Sequence, residues 1–196
     1  MRDIGCALVA ALALLATSAH AEPFLIDKGH TQVSFGWERT GLSRQQGRFT
    51  DVTGSLEFNP ETPEAAQVDV TIRASSIQTG VDTLDRHLRS ADFFDVANHP
   101  VITFKSTAVS RTGDKTGQVT GDLTMLGVSK PVTLDVTWHF TGAHPLGAIN
   151  PQLNGRTVSV FSAKGTIERS AWGLTRVIPL VSDKIQITIE TEVLKK

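Results

Sequence analysis

The sequence predicts an all-β protein, an antiparallel barrel or sandwich with one short helix. Apolar and polar residues alternate with a period of two in several segments, and turn-forming residues separate those segments. Such alternation is typical of sheets with one apolar and one polar face, whereas parallel strands covered on both faces read as continuous apolar runs. A single segment has helical spacing. These three observations favour a fold built almost wholly from antiparallel strands.

Four segments carry the alternation most clearly. In the first of them, Val33, Phe35 and Trp37 share one face of a strand. The four segments are 33–37, 68–72, 132–140 and 185–190. Thr, Val and Ile are frequent in them, as they are on pleated surfaces. Each segment therefore predicts a strand with an apolar inner face.

Turn-forming stretches interrupt the strands. Asn59–Pro63 is unable to continue a ladder of hydrogen bonds, and Arg111–Lys115 is typical of a hairpin turn. Leu126–Pro131 is a further predicted turn, and Ala143–Gly155 is the longest irregular stretch. About eight strands fit between these turns, and a barrel of about eight strands is either filled by side chains or holds one small ligand. The pattern does not choose between those two interiors.

The segment Thr79–Ser90 predicts the helix. Three apolar residues recur there at helical intervals, and Thr79 or Asp82 is a candidate N-cap. The apolar residues are Val81, Leu84 and Leu88. An aromatic pair, Phe93–Phe94, follows directly, so we expect a short helix and an aromatic loop between two strands.

Residues 1–21 predict a secretory signal peptide. A charged start precedes an apolar run, and Ala19 and Ala21 form the small-residue pattern that signal peptidase recognises. The run is too short to span a bilayer, which takes about 20 residues. We therefore expect residues 22–196 to form one domain that is periplasmic or secreted. The only cysteine, Cys6, belongs to the predicted signal peptide, so we expect this domain to have no disulfide.

Charge and motifs argue against several classes of function. The net charge is −1 and Lys and Arg form no run, which disfavours nucleic acid as a partner. We find no nucleophile elbow, no paired metal-binding histidines and no phosphate-binding loop, so we predict no catalytic residue, metal or cofactor. Asp82 and Asp85 resemble a carboxylate pair, but a solvated helix face near its positive end is the simpler interpretation.

Aromatic residues are spread over most of the predicted strands. They are Phe35, Trp37, Phe49, Phe58, Phe93, Phe94, Phe104, Trp138, Phe140, Phe161 and Trp172. In one interpretation the rings pack an ordinary core. In the other, some of them line a tunnel for a long apolar ligand, in which each buried CH2 group contributes about 0.8 kcal/mol.

Several motifs, in this order and spacing, resemble the YceI-like, polyisoprenoid-binding family. The longest and most specific is Asp85–Asp95, which contains Asp-x-His-Leu-Arg-Ser followed by Asp-Phe-Phe-Asp. The others are His30–Phe35, Gly47–Asp51, Ser76–Gly80, Pro100–Thr107, Gly121–Val132 and Arg169–Leu174. The resemblance runs over nearly the whole chain after the predicted signal peptide.

The resemblance implies an extended, lipocalin-like, eight-stranded antiparallel barrel with a long apolar pocket. Its implied ligand is an isoprenoid lipid, such as an isoprenoid quinone or a polyprenyl phosphate, bound without catalysis. Many members carry a histidine where this chain has Arg39, whose guanidinium suits a phosphate or a quinone oxygen. A surface arginine at a strand end is the alternative for Arg39. We predict these ligand-binding residues: Phe35, Trp37, Arg39, Asp85, His87, Leu88, Phe93, Phe94, Phe104, Trp138, Phe161 and Trp172.

The leading hypothesis is a periplasmic carrier or reservoir for an isoprenoid lipid, with transient membrane contact and a possible homodimer. A second hypothesis is an enzyme that acts on a bound lipid through Asp82, Asp85 and His87. A third is a ligand-free, stress-related structural module, for which the barrel interior would be filled.

Overall fold

The computed structural model describes residues 21–196. The predicted signal peptide lies outside the described residues except for Ala21. Within this range there are ten strands and one α-helix, α1, at Asp82–Arg89. The strands are β1 Glu22–Arg39, β2 Ser43–Phe49, β3 Val52–Phe58, β4 Gln67–Arg73, β5 Ile77–Gln78, β6 Val101–Arg111, β7 Thr116–Met125, β8 Val128–Ala143, β9 Thr157–Glu168 and β10 Lys184–Lys195. Short 3-10 turns lie at Pro63–Ala65, Ala74–Ser76, Pro145–Ala148 and Arg169–Trp172.

Eight of the strands close into an antiparallel barrel. Their order is β1, β3, β4, β6, β7, β8, β9 and β10, and β10 pairs with β1 to complete the ring. Closure leaves no free edge among these strands, which removes the hazard of edge-to-edge aggregation. It also excludes the sandwich that the alternation alone had left open, and the predicted eight-stranded antiparallel barrel with one short helix is confirmed.

β1 is long enough to pair with two different strands along the same edge. Its first part, Glu22–Leu25, pairs with β3, and its second part, Val33–Arg39, pairs with β2. β2 in turn pairs with the two-residue β5, which leads towards α1. This extension of the sheet places the helix beside one end of the barrel. We call it the helix end, where β1 finishes and β10 begins.

Local predictions agree with the structure except in three places. The predicted turn Leu126–Pro131 is limited to Leu126 and Gly127, because Val128–Pro131 already pair with β7 as the start of β8. β6 and β7 form the predicted hairpin around Arg111–Lys115. The helix begins at Asp82, and no side chain caps it, because the Thr79 hydroxyl donates instead to the Asp85 carboxylate. The alternation of β8 breaks at a bulge between Trp138 and Phe140, which leaves the Phe140 side chain 40% exposed.

The buried apolar residues form two clusters. The larger includes Val33, Ile72, Ile102 and Trp172 and has partly buried side chains from α1 and the following loop packed on it. The smaller lies towards the other end and consists of Phe24, Leu56, Phe58, Phe161 and Val193. In the described part of the chain no helix has the length and apolar character that crossing a membrane requires.

Candidate functional site

The barrel interior holds two cavities that meet in the middle. The cavity at the helix end has a volume of about 480 Å³, and the second has about 250 Å³. Four residues line both of them: Val33, Ile72, Leu123 and Ile187. The larger cavity lies within the range of about 300–1,000 Å³ that is usual for ligand sites. The structure therefore has an open interior, which the sequence pattern had left undecided.

Aromatic rings from three elements line the cavity at the helix end. Phe35 and Trp37 of β1 stack with centroids 5.8 Å apart, and Phe49 of β2 lies 5.4 Å from Phe35. Phe94, from the loop after α1, meets Phe49 edge-on at 5.8 Å. Alternation along β1 turns its two rings inward, and hydrogen bonding of the Phe94 amide to the Leu88 carbonyl, at 2.9 Å, fixes the loop.

The helix itself covers this cavity. Leu84 and Leu88 line it from α1, together with Val81 and Phe93 from the flanking residues. Leucines four apart lie on the same face of a helix, so one face of α1 is the apolar lid of the barrel. The predicted site residues Leu88, Phe93 and Phe94 are brought together here with Phe35 and Trp37.

The second cavity extends towards the β6–β7 hairpin. Phe104, Trp138 and Phe161 line it, and Phe58 meets both Trp138 and Phe161 edge-on, with centroids 5.6 and 5.1 Å away. The Trp138 indole donates to the Thr141 hydroxyl at 2.9 Å, so its polar atom is satisfied while its ring faces apolar space. The hairpin Arg111–Thr116 lines the outer end of this cavity.

Glycines explain why the rings do not fill the barrel. Phe35 and Gly47 are cross-strand partners, and a Cβ on Gly47 would lie 2.6 Å from the Phe35 ring. A Cβ on Gly121 would lie 2.5 Å from the ring of Phe104. Without these methyl groups, both rings lie against the sheet instead of projecting to the barrel axis. The central space stays open as a result.

The charged side chains of the cavity have different roles. Arg39 is exposed, lines the helix-end cavity, and lies opposite Val181 at an isolated antiparallel bridge. Arg169 also lines this cavity but is buried. Its guanidinium donates to four backbone carbonyls of the segment between β9 and β10, those of Leu174, Arg176, Val181 and Ser182. Arg39 therefore lies at the exposed rim of the cavity, whereas Arg169 holds the cavity wall in place.

Asp183 completes the anchoring of that wall. Its carboxylate accepts hydrogen bonds from the Ser170 amide at 2.8 Å and the Ser170 hydroxyl at 2.6 Å. The two hydrogen bonds from Ser170 hold the pKa of Asp183 below its usual range, and the charge of Arg169 adds to this. The motif Arg169–Leu174 thus forms a structural anchor, a role that the sequence did not reveal.

Three predicted ligand-binding residues line neither cavity. Asp85 is buried, and its carboxylate accepts from the amide and hydroxyl of Thr79, at 2.7 and 2.6 Å. His87 is exposed on α1, with its ring edge-on to Phe93 at 4.8 Å. Trp172 is buried and donates to the Leu123 carbonyl at 3.1 Å. Asp85 and Trp172 are therefore positioned to support the lid and the wall. Ligand contact by the predicted residues as a set stays a prediction.

Aliphatic side chains form a large part of the lining that the sequence analysis did not select. They include Ile72, Ile102, Ile167, Ile185 and Ile187 at the helix end. The alternation of β10 marked Ile185 and Ile187 as inward-facing, but that signal does not separate a cavity wall from a packed core. Several inward side chains, Phe35, Phe104 and Ile187 among them, are only half-buried because they face open space.

Comparison with known proteins finds relatives over the whole barrel. The model of the YceI-like domain matches residues 24–193. Protein YceI of Escherichia coli O6:H1 is 36% identical over 185 residues, which cover 93% of this chain and 92% of that protein. The crystal structure of Burkholderia cenocepacia BcnA is similar with a TM-score of 0.74 at 24% identity, covering 85% of this chain and 98% of that one.

A polyisoprenoid binding domain from Saccharophagus degradans, implicated in plant cell wall breakdown, has the same fold. Its TM-score is 0.62 at 14% identity, covering 90% of this chain and 99% of that domain. At these identities the two solved structures establish the shared barrel.

Proposed function

We propose that this chain, which belongs to the YceI-like domain family, binds one isoprenoid lipid inside its barrel and acts as a carrier or reservoir for it. The observation that carries the proposal is the pair of apolar cavities joined at Val33, Ile72, Leu123 and Ile187. The structural relative from S. degradans, a polyisoprenoid binding domain, supports the same ligand class.

The shape and lining of the interior suit a long, branched hydrocarbon. The two cavities follow one another along the barrel, so a ligand that fills both is extended rather than compact. Rings and branched aliphatics offer many dispersion contacts to methyl groups and alkenes, and each buried CH2 contributes about 0.8 kcal/mol. Such a chain binds tightly with few polar contacts.

The head group is assigned to the helix end. Arg39 is exposed at the rim of the larger cavity, and Gln45 lines the same cavity. A guanidinium pairs with a phosphate through two parallel hydrogen bonds and also donates to a quinone oxygen. The ligand tail then points past Ile187 into the second cavity.

The alternatives receive less support. The residues considered for an enzyme, Asp82, Asp85 and His87, line neither cavity, and the Asp85 carboxylate already accepts two hydrogen bonds from Thr79. A ligand-free module would have a filled interior, and the described barrel has an open one. We place the carrier in the periplasm on the basis of the predicted signal peptide, with transient membrane contact for loading.

Extraction of the purified protein with organic solvent, followed by mass spectrometry, tests the proposal. An isoprenoid lipid should be recovered, and lipid-free protein should take up a long-chain isoprenoid quinone. Replacing inward-facing Phe104 with Asp should abolish uptake, because a carboxylate on the cavity wall lacks water. The matched control is Phe140→Asp, at a ring that lies outside the lining and is 40% exposed. Equal uptake by a folded F104D protein, or no uptake by the unaltered protein, would contradict lipid binding in the barrel.

A further inference from the structure

A second cluster of functional side chains lies where the first and last strands join. β1 and β10 pair regularly except between Ile26, opposite Val193, and Thr31, opposite Thr191. Residues 27–30 therefore bulge out of the ladder opposite a single residue, Glu192. Bulges of this kind often redirect side chains at functional positions.

The bulge brings together three side chains of the types that bind metal ions in proteins. One ligand atom each from Asp27, His30 and Glu192 lies within 4.8 Å of the other two. Asp27 Oδ2 is 3.0 Å from His30 Nδ1, and Asp27 Oδ1 accepts from the Gly29 amide at 2.8 Å. Glu192 alternates with Thr191 and Val193, which line the inner cavity, so its side chain is on the outer face of the barrel. The cluster is thus separate from the proposed lipid site.

A buried histidine points at the same cluster. The His144 side chain is only 6% exposed, and its Nδ1 accepts a hydrogen bond from the Leu146 amide at 3.1 Å. In its neutral form the proton is therefore on Nε2, which has no hydrogen-bond partner and lies 3.8 Å from Glu192 Oε2. A buried donor without a hydrogen-bond partner costs about 1–3 kcal/mol. A small movement of the Glu192 carboxylate towards His144 would give Nε2 its partner.

The charges and geometry suit a dication. The hydrogen bond to Asp27 raises the pKa of His30, so an ion must displace the His30 proton to bind. With that proton lost, two carboxylates and a neutral imidazole carry a combined charge of −2, and the neighbouring Lys28 ammonium is directed to Asp51 at 3.1 Å. Imidazole and carboxylate together favour zinc-like transition metals over calcium or magnesium. Carboxylates that bind metal are usually held by a further hydrogen bond, and His144 Nε2 is placed to supply it to the second oxygen of Glu192.

We propose that Asp27, His30 and Glu192 bind a divalent transition-metal ion of the Zn²⁺ class, with His144 positioning Glu192. Three protein ligands leave a fourth position for water, as in open zinc sites. Because the ligands come from the two strands that close the barrel, the bound ion links the beginning and the end of the domain. Metal binding to the folded form then stabilises the closed barrel by mass action.

Calorimetric titration of chelator-treated protein with Zn²⁺ tests the site, with thermal unfolding in the presence and absence of Zn²⁺ as a second readout. We expect one ion to bind per chain and to raise the unfolding temperature. Asp27→Asn, His30→Ala and Glu192→Gln should each weaken binding by more than tenfold and remove the thermal shift. His144→Phe should weaken binding by about 10–100-fold, as loss of a group that orients a ligand does.

His139→Ala is the control, because His139 is exposed and is hydrogen-bonded to Ser162 outside the cluster. It should bind Zn²⁺ as the unaltered protein does. Unfolding temperatures measured in chelator show whether each variant folds. If D27N does not fold, E192Q tests whether the loss of one ligand weakens Zn²⁺ binding. Binding that is equally strong in folded E192Q and H30A, or equally weakened in H139A, would overturn the proposal.

Discussion

The ring of Phe35 lies directly over Gly47, its partner on the neighbouring strand, so that a methyl group at position 47 would come within 2.6 Å of the ring. The glycine thereby sets how far Phe35 reaches into the barrel. A Cβ on Gly121 would likewise come within 2.5 Å of the Phe104 ring in the second cavity, although Gly121 pairs with Ser106 and not with Phe104. The volumes of the two cavities therefore depend on Gly47 and Gly121, which have no side chains.

Replacing Gly47 with Ala should force Phe35 into the helix-end cavity. We expect a loss of about 1–3 kcal/mol in the free energy of unfolding, as for other overpacked interiors, and weaker lipid uptake. Denaturant unfolding and quinone titration measure the two effects. Gly36→Ala is the control, because a Cβ there meets nothing closer than 3.5 Å. Unchanged uptake by G47A would show that the position of Phe35 does not limit the cavity.

Replacing Arg169 with Met should loosen the wall between β9 and β10. The four carbonyls that now accept from the guanidinium would lose a charged donor, so we expect the free energy of unfolding to fall by about 2–4 kcal/mol. Limited proteolysis should cleave segment 174–182 faster than in the unaltered protein. Arg44→Met, at an exposed ion pair with Glu38, should cost about 1 kcal/mol or less. Equal stability of the two variants would rule out the anchoring role of Arg169.

The Asp183 carboxylate should make the stability of the barrel depend on pH in the acid range. Hydrogen bonds from Ser170 lower the pKa of Asp183 in the folded state from its ordinary value of 3.8. Its contribution is therefore fully present above that value and is lost as the pH falls through the folded-state pKa. Asp183→Asn should flatten the decline in unfolding free energy below pH about 4. Asp135→Asn, at an exposed carboxylate, is the control. If D135N flattened the decline in unfolding free energy as much as D183N, Asp183 would not be its cause.

Arg39 should distinguish ligands by their head groups. Arg39→Gln keeps donors but removes the charge, so we expect about tenfold weaker binding of a polyprenyl phosphate and little change for an isoprenoid quinone. Fluorescence quenching of the tryptophans, Trp37 among them, reports both titrations. Arg44→Gln alters an arginine of the same hairpin that is outside the lining. A parallel loss in R44Q would point to general surface charge rather than to a head-group contact.

Much of the fold follows from the local pattern. Alternation along β1, β8 and β10 is a property of adjacent residues, so it identifies the strands and their inward faces without knowledge of the rest of the chain. The bulge in β8 is the exception, because one additional residue between Trp138 and Phe140 shifts every later side chain to the other face. Nothing in the residues at that point marked the bulge in advance.

The sequence alone determined the antiparallel strands, the helix near Asp82, the apolar inner face and the resemblance to the family. The tertiary structure decided that the interior is open, because the position of Phe35 depends on the residue across from it in the β1–β2 register. It also decided that Asp85 and Arg169 anchor backbone. Finally, it brought Asp27 and Glu192 together from opposite ends of the chain. Their spacing in the sequence does not predict this contact, because the pairing of the first and last strands forms only in the folded barrel.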